Sequence, residues 1–141
     1  MSFERFMKKN KAVKENTFYA ATKSLCDENG KPLEWEIKAL TTKETEAIRE
    51  KYIVAIPVQG KPGMYRQKVT KDYVPSLICA AIVKPNLHDE ELLDSYDVNT
   101  PQELIVEMID NPDEYAKLLQ FVQSYSGIKS TINEEIAEAK N

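Results

Sequence analysis

The stretch DENGKPLEWEIKAL, residues 27–40, is the most informative part of this sequence for the fold. Its second half alternates apolar with charged side chains, with Leu33, Trp35, Ile37 and Ala39 set against Glu34, Glu36 and Lys38. A period of two is typical of a strand with one buried face. The first half contains Asn29-Gly30, which favours the positive φ angles of hairpin turns. Residues 17–25, rich in aromatic and small side chains, supply a partner strand, so we predict a β-hairpin.

A helix is predicted to follow this hairpin directly. Thr41 and Glu44 have the spacing of a capping box, in which each side chain satisfies a free amide at the helix start. Ala47, Ile48 and Tyr52 would form one side of this helix. Two β-like runs, residues 53–58 and 64–69, then flank the Gly/Pro-rich residues 59–63. They indicate a second hairpin, with a long unpaired loop as the alternative.

From Asp72 onward the apolar residues recur at helical spacing. The first helix carries a stripe of Tyr73, Val74, Leu77, Ile78, Ala81 and Ile82, and we expect it to end at Pro85. A short helix is predicted around Leu92, Leu93 and Tyr96. Two further helices begin with a capping residue followed by proline, at Thr100-Pro101 and Asn111-Pro112, and Gly127 is placed as a C-terminal cap.

The two ends of the chain are also predicted to be helical. Phe3, Phe6 and Met7 share one face of a helix from Ser2 to Asn10, which is too short to be stable unless it docks on another surface. A last amphipathic segment runs from Thr131 to Lys140. The prediction is therefore an α+β fold in a single domain, 1–141. Residues 1–70 form an α/β part with hairpins and short helices, and residues 71–141 form a helical half.

Composition and charge exclude several classes of partner. A formal net charge of −4 is unlike the basic field of nucleic-acid binders, so no nucleic-acid partner is expected. Lysines 8, 9, 11 and 14 read as a solvated cluster. Stacking of single-stranded nucleic acid by Tyr65, Arg66, Lys68 and Tyr73 is a disfavoured alternative.

No stretch resembles a signal sequence or a membrane span, so we expect a cytoplasmic protein without a membrane partner. Cys26 and Cys79 are far apart and form no CxxC pair, which fits a reducing compartment.

The residues do not form a recognisable catalytic set. His88, the one histidine, could bind a metal or act with Asp89 or Glu91, but a zinc site would need further ligands. The carboxylates near helix starts are better explained by the helix dipole. Glycine-rich phosphate loops are absent from the sequence, so no cofactor is expected and the chain is interpreted as a non-enzyme.

A resemblance covers nearly the whole chain and depends on the order and spacing of short pieces. These pieces are residues 27–32 with Trp35-Glu36-Ile37, Val83-Lys84-Pro85-Asn86-Leu87, Asp89 with Glu91-Leu92 and Ser95-Tyr96, Glu114-Tyr115 with Leu118-Leu119, and Ala139-Lys140-Asn141. In this order they resemble the XkdN-like tail assembly chaperones of contractile-tailed phages and PBSX-like defective prophages. The chain departs from that family at Asp97 and Asp113, where the family tends to have glycine.

The resemblance implies a chaperone that binds the tape measure protein of its own tail, keeps it soluble during assembly and is absent from the finished virion. Many members of this family are made in two lengths by frameshifting, so a longer form of the chain is a second kind of partner, and self-association is the alternative. A structural tail protein, such as a tube or completion factor, is the alternative function. An enzyme using His88 is a third.

For the partner-binding surface we predict the apolar faces of the last two capped helices. The residues are Leu104, Met108, Tyr115, Leu118 and Val122. The alternative is that all five belong to the core.

Overall fold

The structure, a computed structural model, describes residues 3–129. Its strands and helices follow in the order β1 (Thr17–Tyr19), β2 (Trp35–Ile37), α1 (Thr42–Tyr52), β3 (Ile53–Pro57), β4 (Tyr65–Val69), α2 (Tyr73–Ala81), β5 (Ile82–Lys84), α3 (Glu90–Ser95), α4 (Pro101–Met108) and α5 (Pro112–Ser126). All of these strands end by residue 84, and three helices follow, which confirms the predicted α+β class.

The first hairpin belongs to a three-stranded antiparallel sheet in the order β1-β2-β5. Tyr19 lies opposite Trp35 in this pairing. Further along the hairpin, an isolated β-bridge between Cys26 and Pro32 closes the turn. Gly30 has φ +80°, and the Asp27 carboxylate accepts hydrogen bonds from the amides of Asn29 and Lys31. The hairpin prediction is confirmed, although its paired strands are only three residues long.

The second hairpin is confirmed as well. Strands β3 and β4 pair antiparallel from Ile53 opposite Val69 to Pro57 opposite Tyr65, and they form a sheet of their own. The connecting loop turns at Gly60 and Gly63, which both have positive φ angles. This pairing excludes the alternative of a long unpaired loop.

The core is built around α2, which contacts α1, α4 and α5. Leu77, Ile78 and Ala81 of this helix are buried, and they pack in one cluster with Trp35 and Ile37 of β2. The cluster draws buried side chains from the hairpin part and from the helical part of the chain, so the two parts share a hydrophobic core.

The predicted helix ends are observed at the capping residues. The Thr41 and Glu44 capping box is complete, and Thr100 and Asn111 each accept an amide hydrogen bond at the start of α4 and α5. Gly127 ends α5 in the left-handed conformation, with φ 74°.

Two predicted helices differ in the structure. The N-terminal segment forms two short 3-10 helices, Phe3–Phe6 and Lys8–Asn10, in place of one α-helix, and its apolar side chains are exposed. The segment is too short to hold an α-helix without a surface to pack against. The helix predicted to reach Pro85 ends at Ala81, because Ile82–Lys84 pairs with β2. The predicted segment Thr131–Lys140 lies outside the described residues.

Candidate partner-binding surface

The five residues predicted to contact a partner converge in the interior. Leu104, Leu118 and Val122 have no exposed surface, and Met108 is 6% exposed. Tyr115 is half-buried, and burial raises the pKa of its hydroxyl to about 12. This burial supports the alternative that these side chains form the core, while their role in binding a partner stays a prediction.

The β3–β4 hairpin carries large apolar side chains on its surface. Met64 and Tyr65 are 54% and 66% exposed, and Val54 is 40% exposed. Among the described elements, the hairpin's main neighbour is α1, the helix that leads directly into β3. Val54 and Tyr65 lie on opposite faces of the hairpin, since side chains alternate along a strand. Exposed apolar side chains of this size often mark interaction sites. The sequence signal for this surface is the apolar pair beside a Gly/Pro loop, which predicted a hairpin and placed Tyr65 in the disfavoured nucleic-acid alternative.

An open groove of about 310 Å³ lies beside the base of this hairpin. Ala47, Ile48 and Tyr52 of α1 form one wall, and Cys79 and Ala80 of α2 form the other. Pro101, at the start of α4, also lines the groove, and the Cys79 thiol donates a hydrogen bond to its carbonyl oxygen at 3.3 Å. The groove is therefore mostly apolar and is open at the surface.

The β3–β4 hairpin and the residues next to it carry positive charge. Residues 51–71 contain five basic side chains and no carboxylate. Arg66 and Lys68 are exposed on β4, on the face of the hairpin that carries Val54 and opposite to the face of Tyr65. Tyr73, which the disfavoured nucleic-acid alternative would need for stacking, is only 2% exposed. The hairpin and groove together offer apolar contact flanked by positive charge, which suits a partner with apolar and acidic side chains.

The groups considered for catalysis have structural contacts. The Asp89 carboxylate accepts a hydrogen bond from the Leu92 amide and caps the start of α3. His88 is exposed at the edge of the groove, and its backbone amide donates to the Asn86 side chain. Burial raises the pKa of the Cys79 thiol to about 12, so this cysteine stays protonated at neutral pH and is a poor nucleophile.

Residues 3–129 contain neither a cluster of metal ligands nor a membrane-spanning helix. No group of three His, Cys, Asp or Glu side chains in this range could hold a metal ion. None of the described helices is both long and apolar enough to cross a bilayer. Both cysteines are free, with Cys26 exposed.

The departures at Asp97 and Asp113 have local explanations. Asp97 has φ 55°, in the left-handed region that glycine adopts most easily, and aspartate is one of the few other residues that tolerate it. Asp113 lies in the first turn of α5, where a negative charge is favoured, and it pairs with Lys117 at 3.0 Å.

Comparison with known proteins gives one family and one fold. Residues 3–140 match the family described as "Phage XkdN-like tail assembly chaperone protein". No curated protein matches the chain. The crystal structure titled as that of the protein yqbn, a structural genomics target, superposes with a TM-score of 0.70 at 17% identity. The match covers 90% of this chain and 97% of that one, and at this identity it shows the fold alone.

Proposed function

This chain belongs to the XkdN-like phage tail assembly chaperones, and from that premise we propose that it binds the tape measure protein of its own tail and keeps it soluble during assembly. It acts in the host cytoplasm as a binding protein, without an active site. The observation that carries the proposal is the exposed apolar surface of the β3–β4 hairpin beside an open apolar groove.

A helical partner fits this surface by its chemistry. Amphipathic helices commonly place apolar side chains into a groove between two helices of the protein that binds them. Here α1 and α2 supply the walls, and Met64 and Tyr65 offer further exposed apolar side chains at the loop end of the hairpin that follows α1. Five basic side chains in residues 51–71 would pair with carboxylates that flank the apolar stripe of the bound helix.

The tape measure protein would stay soluble because several copies of this chain cover the apolar stripe along its helix. A long helix with an exposed apolar stripe aggregates, because large apolar patches associate with one another in water. Several copies of a small acidic protein, bound side by side, would cover the stripe and add negative charge to the complex. Each contact can be weak, so the chaperone can be displaced when the tail tube assembles around the tape measure.

The test is co-expression of the tagged chain with the tape measure protein of the same tail. We expect a soluble complex with many copies of the chaperone per tape measure. The double variant Met64→Ser/Tyr65→Ser should reduce the recovered tape measure by about tenfold, because central apolar contacts dominate binding. Leu33→Ser is the matched control, since Leu33 is also exposed but lies in the first hairpin. A tape measure that is soluble and never co-purifies contradicts the proposal.

A second pair of variants tests the groove separately. Ala47→Glu adds a charge to the groove wall at an exposed helical position, where the fold should tolerate it. Ala116→Glu makes the same change at an exposed position of α5 that does not line the groove. Only the first should weaken the complex. Equal loss in both variants would exclude the groove as the binding site.

The alternative of a structural tail protein makes the opposite prediction about finished tails. Mass spectrometry of purified infectious tails should find no stoichiometric amount of this chain. A stoichiometric amount, together with rings or tubes formed by the pure protein, would replace the chaperone function with a structural one.

A further inference from the structure

The N-terminal arm, residues 3–13, presents the most exposed apolar side chains among the described residues. Phe3 and Phe6 are 79% and 80% exposed, Val13 is 87% exposed and Met7 is 54% exposed. An apolar patch of this kind, on a segment that forms only two short 3-10 helices, is typical of a surface that a partner covers.

The arm starts from a fixed point on α5. The Lys14 ammonium donates a hydrogen bond to the carbonyl oxygen of Tyr125 at 2.6 Å and lies 4.0 Å from the centre of that tyrosine ring. The Tyr125 hydroxyl donates in turn to the carbonyl oxygen of Glu15. Tyr19 then stacks on Phe121 of the same helix, with ring centroids 4.3 Å apart. Residues 14–19 are thus attached to the body, while the preceding apolar side chains face water.

Charge identifies the kind of surface that would cover the arm. Residues 1–14 contain five basic side chains and one carboxylate, a formal charge of +4 in a chain whose total is −4. Residues 85–116 contain ten carboxylates and no lysine or arginine. The arm and the helical half of the same sequence are therefore complementary in charge.

The outer face of α4 adds apolar surface to this acidic region. Glu103, Val106 and Glu107 follow the spacing i, i+3, i+4 on α4, Asp110 lies two residues beyond the end of the helix, and all four are exposed. Val106, which is 47% exposed, lies among the three carboxylates. Asp110 also lines an open groove of about 650 Å³. Its other lining residues include Tyr19, the acidic Asp113 and Glu114, and the basic Lys23 and Lys117. This surface offers apolar contact for phenylalanine rings and carboxylates for the flanking lysines.

We propose that the N-terminal arm of one copy docks on the outer face of α4 in a second copy of this chain. Reciprocal docking places both arms and closes the assembly as a symmetric dimer, because each copy provides one arm and one receiving face. Glu103, Val106 and Glu107 do not line the groove beside the β3–β4 hairpin, although Pro101 and Gln102 at the start of the same helix do.

The first experiment measures the mass of the pure full-length chain by analytical ultracentrifugation over about 1 to 500 µM, the range in which weak dimers populate. We expect a monomer–dimer equilibrium that weakens at high salt. Phe3→Ser/Phe6→Ser should raise the dimer dissociation constant by about tenfold or more. Met64→Ser/Tyr65→Ser, which removes two exposed apolar side chains from the hairpin, should leave the dimer dissociation constant unchanged. A wild-type chain that is monomeric throughout, or an arm variant that dimerises as wild type does, overturns the proposal.

A charge exchange tests whether the arm binds the second copy. Lys8→Glu/Lys9→Glu/Lys11→Glu and Glu103→Lys/Glu107→Lys should each be monomeric. The first variant gives residues 1–14 a formal charge of −2, the sign of the wild-type α4 face, and the second places two lysines on the face that meets the basic wild-type arm. An equimolar mixture should form heterodimers, since every arm then meets a face of opposite charge. A mixture that stays monomeric contradicts the proposal, and so does either variant that dimerises alone.

Discussion

Truncation of Leu118 distinguishes a core role from a partner-binding role at the centre of α5. Leu118 is 0% exposed and belongs to the hydrophobic cluster around α2. Leu118→Ala removes the equivalent of three carbon groups, worth about 2.4 kcal/mol at roughly 0.8 kcal/mol each. The cavity left behind brings the expected loss of unfolding free energy to about 3–4 kcal/mol.

The assay is urea unfolding followed by tryptophan fluorescence. Trp35 is the sole tryptophan and is 2% exposed in the same cluster, so its emission reports the loss of the core. With a denaturant slope of about 1.5 kcal/mol per molar, the midpoint should fall by about 2 M. Leu33→Ala is the matched control and should shift it by less than about 0.5 M, because Leu33 is 45% exposed.

Binding decides between the two roles. If Leu118 is a core residue, the folded fraction of Leu118→Ala should recover the tape measure protein as well as wild type does. A midpoint shift below about 0.5 M together with lost binding would refute the reasoning from burial. It would also support the sequence-based prediction that this face contacts the partner.

Three further predictions concern the backbone, pH and thiol chemistry. Position 97 has φ 55°, a left-handed conformation that glycine adopts easily and a β-branched residue does not. Asp97→Gly should therefore raise the unfolding free energy by about 0.5 kcal/mol, and Asp97→Val should lower it by about 1 kcal/mol or more. Urea titrations measure both changes. The Lys23 amide and the Thr22 hydroxyl donate hydrogen bonds to the Glu114 carboxylate and hold its pKa below the usual value of 4.5. These hydrogen bonds therefore stabilise the folded state above pH 4.5, and their contribution is lost as pH falls through the lowered pKa. Thermal melts between about pH 6 and pH 3 should therefore fall more steeply for wild type than for Glu114→Gln, and equal slopes would contradict this. Burial raises the pKa of the Cys79 thiol to about 12, so a thiol reagent at neutral pH should label the exposed Cys26 rapidly and Cys79 only on unfolding; two fast-reacting thiols would contradict it.

The sequence alone determined those features that depend on neighbours along the chain. Thr41, Thr100 and Asn111 were identified as helix caps because a cap needs only a side-chain oxygen and a free amide two or three residues later. The Asn29-Gly30 turn and both hairpins followed from local alternation and turn residues. The order of these pieces also identified the family, since order and spacing are properties of the sequence.

The tertiary structure decided everything that depends on distant residues. Ile82 fits the helical stripe of α2, but its backbone pairs with β2, because a strand some 45 residues earlier offers it hydrogen bonds. Apolar faces on α4 and α5 look the same in sequence whether they meet a partner or a core, and only packing on α2 shows that they are buried. The exposed candidates, Phe3, Phe6, Met64 and Tyr65, were likewise indistinguishable from core residues until their accessible surface was known. The periodicity of apolar residues shows which side chains share one face of an element. Whether that face is buried depends on segments that are distant in the sequence.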